Sequence, residues 1–204
     1  MAMIKREVYY FENPGEENTE FVIEAVKKYI EKNGPMDIVV ASTSGSTALK
    51  LAKALNKKTR IICVSEGAYR KEWGFEYPCM DSKIKKELEE IGVIVLDKIS
   101  YILHGSLYEL SNYSFPTPET IFKDTLYAFG QGMKVAVEVV IIATEFGLIE
   151  PFKYVIGIGG SGRGADTAAV LRSTYSGTVF SKDKNKRLEI REIIAMPLNK
   201  KWWD

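Results

Sequence analysis

Two stretches of this chain combine bare backbone with hydroxyl groups, and a third sets carboxylates in apolar surroundings. Residues 157–164 read Gly-Ile-Gly-Gly-Ser-Gly-Arg-Gly, five glycines in eight positions, entered from the apolar run Tyr154 to Ile158 and left through Ala165-Asp166-Thr167. A backbone so free of side chains can approach an anion closely and aim its N–H groups at it, above all at a strand-to-helix junction, which the pattern predicts here. Gly157, Gly159 and Gly162 also satisfy G-x-G-x-x-G. The short helical pattern that follows and the brevity of the remaining chain do not extend this into a dinucleotide-binding βαβ unit, so the expectation is a phosphate cradle formed by Gly160, Ser161, Gly162, Arg163, Gly164, Asp166 and Thr167. Arg163 would clamp the phosphate through its planar guanidinium; its plainer role is a surface ion pair, for instance with Asp166.

The second stretch, Ala41-Ser42-Thr43-Ser44-Gly45-Ser46-Thr47, follows another apolar run and opens a helix. Hydroxyls and N–H groups at the positive end of a helix dipole suit a phosphate, which makes Thr43, Ser44, Gly45, Ser46 and Thr47 the matching half of the cradle. No Gly-Lys-Ser/Thr ending follows, so the turn is not a P-loop. Capping of the helix by Ser46 or Thr47 is the simpler alternative.

Catalytic candidates are Glu138, Glu145 and His104. Glu138 stands among Val135, Val137, Val139 and Val140, and Glu145 follows on roughly the same helical face. A carboxylate there must find a partner or face water, and an internal ion pair or a backbone contact satisfies it as well as a ligand does. His104 is the single histidine; without a second ligand at useful spacing it forms neither a triad nor a metal site. Tyr69, Trp73 and Phe75 could stack on a flat ring or hold down their own loop.

These residues need a frame. Asn18-Thr19-Glu20 starts a helix that Gly34-Pro35 ends; strands are predicted at Met36–Ala41, Arg60–Ser65, Val93–Leu96 and Phe152–Ile158. Helices are predicted after the turn at Ser42 to Thr47, with Ala48, Leu49, Leu51, Ala52 and Leu55 on the inner face, from Asp81 to Ile91, and from Pro118 to about Phe146 with a bend at Gly130-Gln131-Gly132. A short helix at Asp166–Arg172 and strands at Thr174–Phe180 and Leu188–Ala195 complete the reading. The alternation implies one domain, residues 1–204: a three-layer α/β/α sandwich around a mostly parallel five-stranded sheet of order 3-2-1-4-5 with an antiparallel edge strand. The first and fourth expected strands are then neighbours, and both hydroxyl-rich turns meet at one rim, where such sheets bind ligands.

Of the 204 residues 46% are apolar, and the formal net charge is +1. That charge supplies no field to recruit nucleic acid or an anionic membrane. The longest apolar stretch, Val135 to Ala143, is too short to span a bilayer. Cys63 and Cys79 make no disulfide framework, which fits a reducing cytoplasm. Few Gln and His with many Lys and Glu lean towards a heat-adapted source. Trp202-Trp203 packs back on the domain or meets another subunit in a homo-oligomer.

The run Ser42 to Ala48, followed by Arg60-Ile61-Ile62-Cys63-Val64-Ser65, resembles the sugar-bisphosphate effector loop and next strand of the pyruvate kinase C-terminal domain. Tyr10-Phe11-Glu12-Asn13-Pro14-Gly15, Phe129-Gly130-Gln131-Gly132 with Lys134, Val135 and Glu138, and Gly159 to Ala168 look like a stand-alone archaeal and bacterial group with the same fold. Glu145 stands where that group has Asp, and Leu107–Phe115 departs from its pattern. The resemblance implies a pocket for a phosphorylated ligand, with flavin mononucleotide (FMN) leading. It does not imply pyruvate kinase activity, since the barrel that does that chemistry is absent. Three functions follow: a binding module for a phosphorylated small molecule, a flavin-dependent oxidoreductase or sugar-phosphate enzyme, and a regulatory protein that senses a sugar bisphosphate.

Overall fold

Val22 and Val26, one helical turn apart, are fully buried on the inner stripe of α1 (Thr19–Asn33), whose outer face carries exposed charged residues. A computed structural model describes residues 3–55, 59–104 and 115–201. The Trp202-Trp203 pair and most of the atypical 107–115 stretch lie outside the described residues. The strands are β1 (Tyr9–Phe11), β2 (Ile38–Ala41), β3 (Ile61–Val64), β4 (Ile94–Leu96), β5 (Tyr154–Gly159), β6 (Thr167–Arg172) and β7 (Ile190–Pro197). Besides α1, the helices are α2 (Ser46–Leu55), α3 (Ser82–Glu90), α4 (Pro118–Tyr127) and α5 (Gln131–Glu145).

All seven strands form one mixed sheet of order β1-β7-β6-β5-β2-β3-β4. Strands β5, β2, β3 and β4 are mutually parallel, as the uninterrupted apolar runs of β2 and β3 predict for strands covered on both faces. One face packs on α1, α2 and α3 through Val22, Val26, Ala48, Leu51 and Leu88; the other packs on α4 and α5 through Leu126, Met133, Val137 and Val140. Each fully buried aliphatic side chain contributes roughly 1.5–3 kcal/mol. Helix α5 lies across β5, β6 and β2 and is itself covered by α4. Most of its residues are therefore buried, Lys134 and Glu138 included.

The expected sheet needs correction in four places. Seven strands replace the five of order 3-2-1-4-5, because β6 forms where a helix is expected and the short Tyr-Tyr-Phe run of β1 adds to an edge beside β7. Asp166–Arg172 is not a helix: Ala168 and Val170 join one core while Ala169 and Leu171 join the other, the two-residue period of a strand. Residues 174–180 are not a strand but hold a short 3-10 turn at Ser176–Thr178. The antiparallel strand is β6, and it lies inside the sheet between β5 and β7 rather than at the edge. The long helix after Pro118 is likewise two helices, broken where Gly130 takes φ 102°.

Candidate functional site

Strands β2 and β5 pair in parallel, Val40 opposite Ile158. The turn after β2 and the loop after β5 therefore leave the sheet side by side at the carboxyl rim. In the first turn Ser42 Oγ accepts the Ala48 N–H at 3.3 Å, so Ser42, and neither Ser46 nor Thr47, ties the first turn of α2. The Gly45 N–H donates to Ser42 O at 3.2 Å, with Gly45 at φ 84°. A Cβ on Gly45 would stand 2.7 Å from Ile84 Cγ2, so this glycine serves the turn and the approach of α3. Thr47 is buried; Ser44 and Ser46 are exposed, with their hydroxyls 3.1 Å apart.

The glycine loop differs from expectation in kind. It joins β5 to the antiparallel β6, so its residues do not open a helix. Most of its glycines admit the protein's own atoms. A Cβ on Gly159 would meet Gly132 O at 2.3 Å and the Ala136 nitrogen at 2.7 Å; one on Gly160 would meet Gly164 O at 2.4 Å; one on Gly164 would meet Thr19 Oγ1 at 2.4 Å. Thr19 Oγ1 also accepts the Ala165 N–H at 3.0 Å, which fastens the loop to the start of α1. Asp166 is fully buried, and in place of an ion pair with Arg163 it accepts the Ser161 N–H at 3.0 Å and the Thr167 hydroxyl at 2.8 Å. Burial raises its carboxyl pKa above 3.8, only partly offset by hydrogen bonds from Thr167, Ser161 and the Gly15 backbone. Gly160, Ser161 and Thr167 are buried and Gly164 half-buried, which leaves Gly162 and Arg163 exposed to anything at the rim.

Beside these turns lies a connected set of side chains that sequence patterns revealed only in part. Thr43 donates its hydroxyl to Glu66 Oε1 at 2.7 Å, and Arg70 donates to the same oxygen at 3.2 Å. Tyr101 donates its hydroxyl to Glu66 Oε2; burial, followed by this bond, raises its pKa above the ordinary phenol value. The Tyr101 ring stacks on Trp73 at 5.6 Å, and both meet the ring of His104 edge-on at 6.1 and 5.9 Å. Lys134 Nζ contacts His104 Nε2 and donates to Glu138 Oε2, while Glu138 Oε1 accepts the Leu103 N–H at 2.9 Å. Burial pushes the Glu138 pKa up, but Lys134 and then His104, with hydrogen bonds from Lys134 and the Leu103 N–H, outweigh it and leave the group below 4.5.

The structure thus joins two of the three catalytic candidates, His104 and Glu138, through Lys134. Glu145 is not with them. It ends α5 at the far side, exposed, and accepts both the N–H and the hydroxyl of Ser176 at 2.7 and 2.6 Å. The i,i+4 spacing of Lys134 and Glu138 inside an apolar helix was the legible sign of that pair. Nothing local in the sequence marked Glu66, Arg70 or Tyr101 as its neighbours. Gln131, which opens α5, keeps its Oε1 buried without a hydrogen-bond partner among the described residues.

Fold and rim together define the class: an α/β protein with a mixed seven-stranded sheet and a polar, aromatic-flanked rim at the carboxyl ends of its parallel strands. No protein-family model matches the chain. Among the described residues no helix is long and apolar enough to cross a membrane, and no group of three His, Cys, Asp or Glu could hold a metal ion.

Proposed function

We propose that this chain binds a phosphorylated small molecule, FMN first among them, at the carboxyl rim between β2 and β5. The observation that carries the reading is the departure of the 42–45 turn and the 160–166 loop from adjacent parallel strands, beside the positive end of α2. The residues fit the ligand unevenly. The exposed Ser44 and Ser46 hydroxyls, the first-turn N–H groups of α2 and the Arg163 guanidinium suit the phosphate, and the Trp73 and Tyr101 rings suit a flat heterocycle. Thr47, Gly160, Ser161, Gly164, Asp166 and Thr167 hold the loops in place and are not direct contacts. Bound there, a flavin would supply redox chemistry that side chains lack.

Fluorescence titration with FMN and with riboflavin tests this. FMN should saturate the protein and riboflavin should bind at least about tenfold more weakly, the worth of charge-assisted hydrogen bonds to the phosphate. Ser46→Asp is expected to abolish the difference without lowering thermal stability, because a carboxylate at this position repels phosphate yet suits the helix dipole. Failure to bind FMN, sugar phosphates and inorganic phosphate alike overturns the reading.

An enzyme is the second reading, favoured by the Lys134–Glu138–His104 cluster. A buried ion pair is a costly way to hold a helix to a loop, and such groups concentrate at functional sites. Flavin-dependent oxidation and conversion of a sugar phosphate are the two reaction classes it fits. Turnover lost in Lys134→Met while FMN binding survives would favour it.

A further inference from the structure

Glu66 ties together the segments that leave β2, β3 and β4. Its Oε1 accepts the Thr43 hydroxyl at 2.7 Å and Arg70 Nη1 at 3.2 Å, while its Oε2 accepts the Tyr101 hydroxyl. Thr43 belongs to the turn that precedes α2, so the shared acceptor oxygen sets the Arg70 guanidinium beside that turn. The guanidinium is preorganised there. It lies over the Phe75 ring, 4.0 Å from the centroid, and meets the Cys79 thiol. Arg70 is half-buried, whereas Arg163 in the glycine loop is exposed.

The three bonds to Glu66 are unequal. Arg70 makes the longest of them, through one of the five N–H groups that a guanidinium carries. The Thr43 and Tyr101 hydroxyls keep the carboxylate hydrogen-bonded when Arg70 turns elsewhere. A phosphate monoester carries up to two negative charges and takes two parallel N–H bonds from one guanidinium, so it outcompetes a carboxylate held by a single bond. We propose that Arg70 holds the phosphate of the ligand at the 42–45 turn, and that Glu66 occupies this guanidinium until phosphate displaces it. This role rests on the ligand reading above and adds to it a residue from the segment after β3. It also gives the effect of Glu66 a sign: as a competing anion beside the turn it weakens phosphate binding, whereas a carboxylate that only braced the three segments would favour it.

Titrations of the full chain with FMN and with riboflavin read the phosphate contribution as the ratio of the two affinities. Arg70→Met should cut that ratio by about tenfold or more, since the bonds lost are charge-assisted. Arg70→Lys keeps the charge without the planar fork and should recover only part of it. Glu66→Gln still offers hydrogen-bonding atoms to Thr43 and Tyr101 but removes the competing charge, and should tighten FMN binding by about threefold. Cys79 supplies a readout that needs no substitution. Its thiol lies against Arg70, whose charge favours the reactive thiolate, while Cys63 is fully buried with its thiol pushed up to about 12. Inorganic phosphate at high concentration should therefore slow the modification of Cys79 by a disulfide reagent at about pH 8, and sodium chloride of equal ionic strength should not.

An FMN-to-riboflavin ratio that is the same in the unaltered protein and in a folded Arg70→Met variant overturns the proposal and leaves the ligand reading standing. So does FMN binding that is weaker or unchanged in a folded Glu66→Gln variant. Should neither variant fold, a Cys79 rate unmoved by phosphate overturns it. Failure of FMN, sugar phosphates and inorganic phosphate alike to bind the unaltered protein removes the ligand reading and this role of Arg70 together.

Discussion

Asp166 shows how one buried carboxyl can both organise a loop and tax the fold. Its folded pKa is raised, chiefly by burial, so the folded chain holds this proton more tightly than the unfolded chain does. The stability linked to it is complete below about pH 3.8 and is lost as pH rises through the raised value. Asp166→Asn cannot ionise and should lack that decline. Urea midpoints of both proteins between about pH 3.5 and 7 check this: the unaltered protein should lose ground to the variant as pH rises. Parallel curves would mean that hydrogen bonds from Ser161 and Thr167 cancel the cost of burial.

At the scale of elements, the β5–α5 contact explains glycines that resemble a ligand cradle. A Cβ at residue 159 would press on Gly132 O and the Ala136 nitrogen, both backbone atoms of α5 that cannot turn aside. Gly159→Ala should therefore cost about 1–3 kcal/mol or more, read from denaturant unfolding. Gly177, which a Cβ would leave with nothing within 4 Å, is the control: Gly177→Ala should stay within about 0.5 kcal/mol of the parent. Equal effects at the two positions would show that the helix yields. The same contact explains what the sequence hid. Runs such as Ile61–Val64 are legible as strands because both their faces are apolar. Thr167–Arg172 contains Ala and Leu, which suit a helix equally well, and only its pairing with β5 and β7 decides the matter. The meeting of Lys134 with His104 is tertiary too, although the spacing of Lys134 and Glu138 was visible.

For the molecule as a whole, Cys63 reports on the integrity of the sheet. It lies on β3 between β2 and β4, fully buried, and burial, helped by Asp97, pushes its thiol up to about 12. Thiolate is the reactive form, so a disulfide reagent should modify Cys63 only when the sheet opens. Cys79, half-buried outside the strands, should react first. Two kinetic phases are expected, the slower matching the most protected amide hydrogens of β3; a single fast phase for both thiols would mean that this side of the sheet opens locally.

The partnership of β1 with β7 bears on how the chain is made. Tyr9 pairs with Ala195, and among the described residues the strand beside β1 is β7, the latest of the seven in chain order. At roughly 5–20 residues per second, β1 waits about 10–40 s for its neighbour. The parallel strands β2 to β5 can assemble during that interval, so the amino-terminal segment is added to a nearly finished sheet and does not seed it.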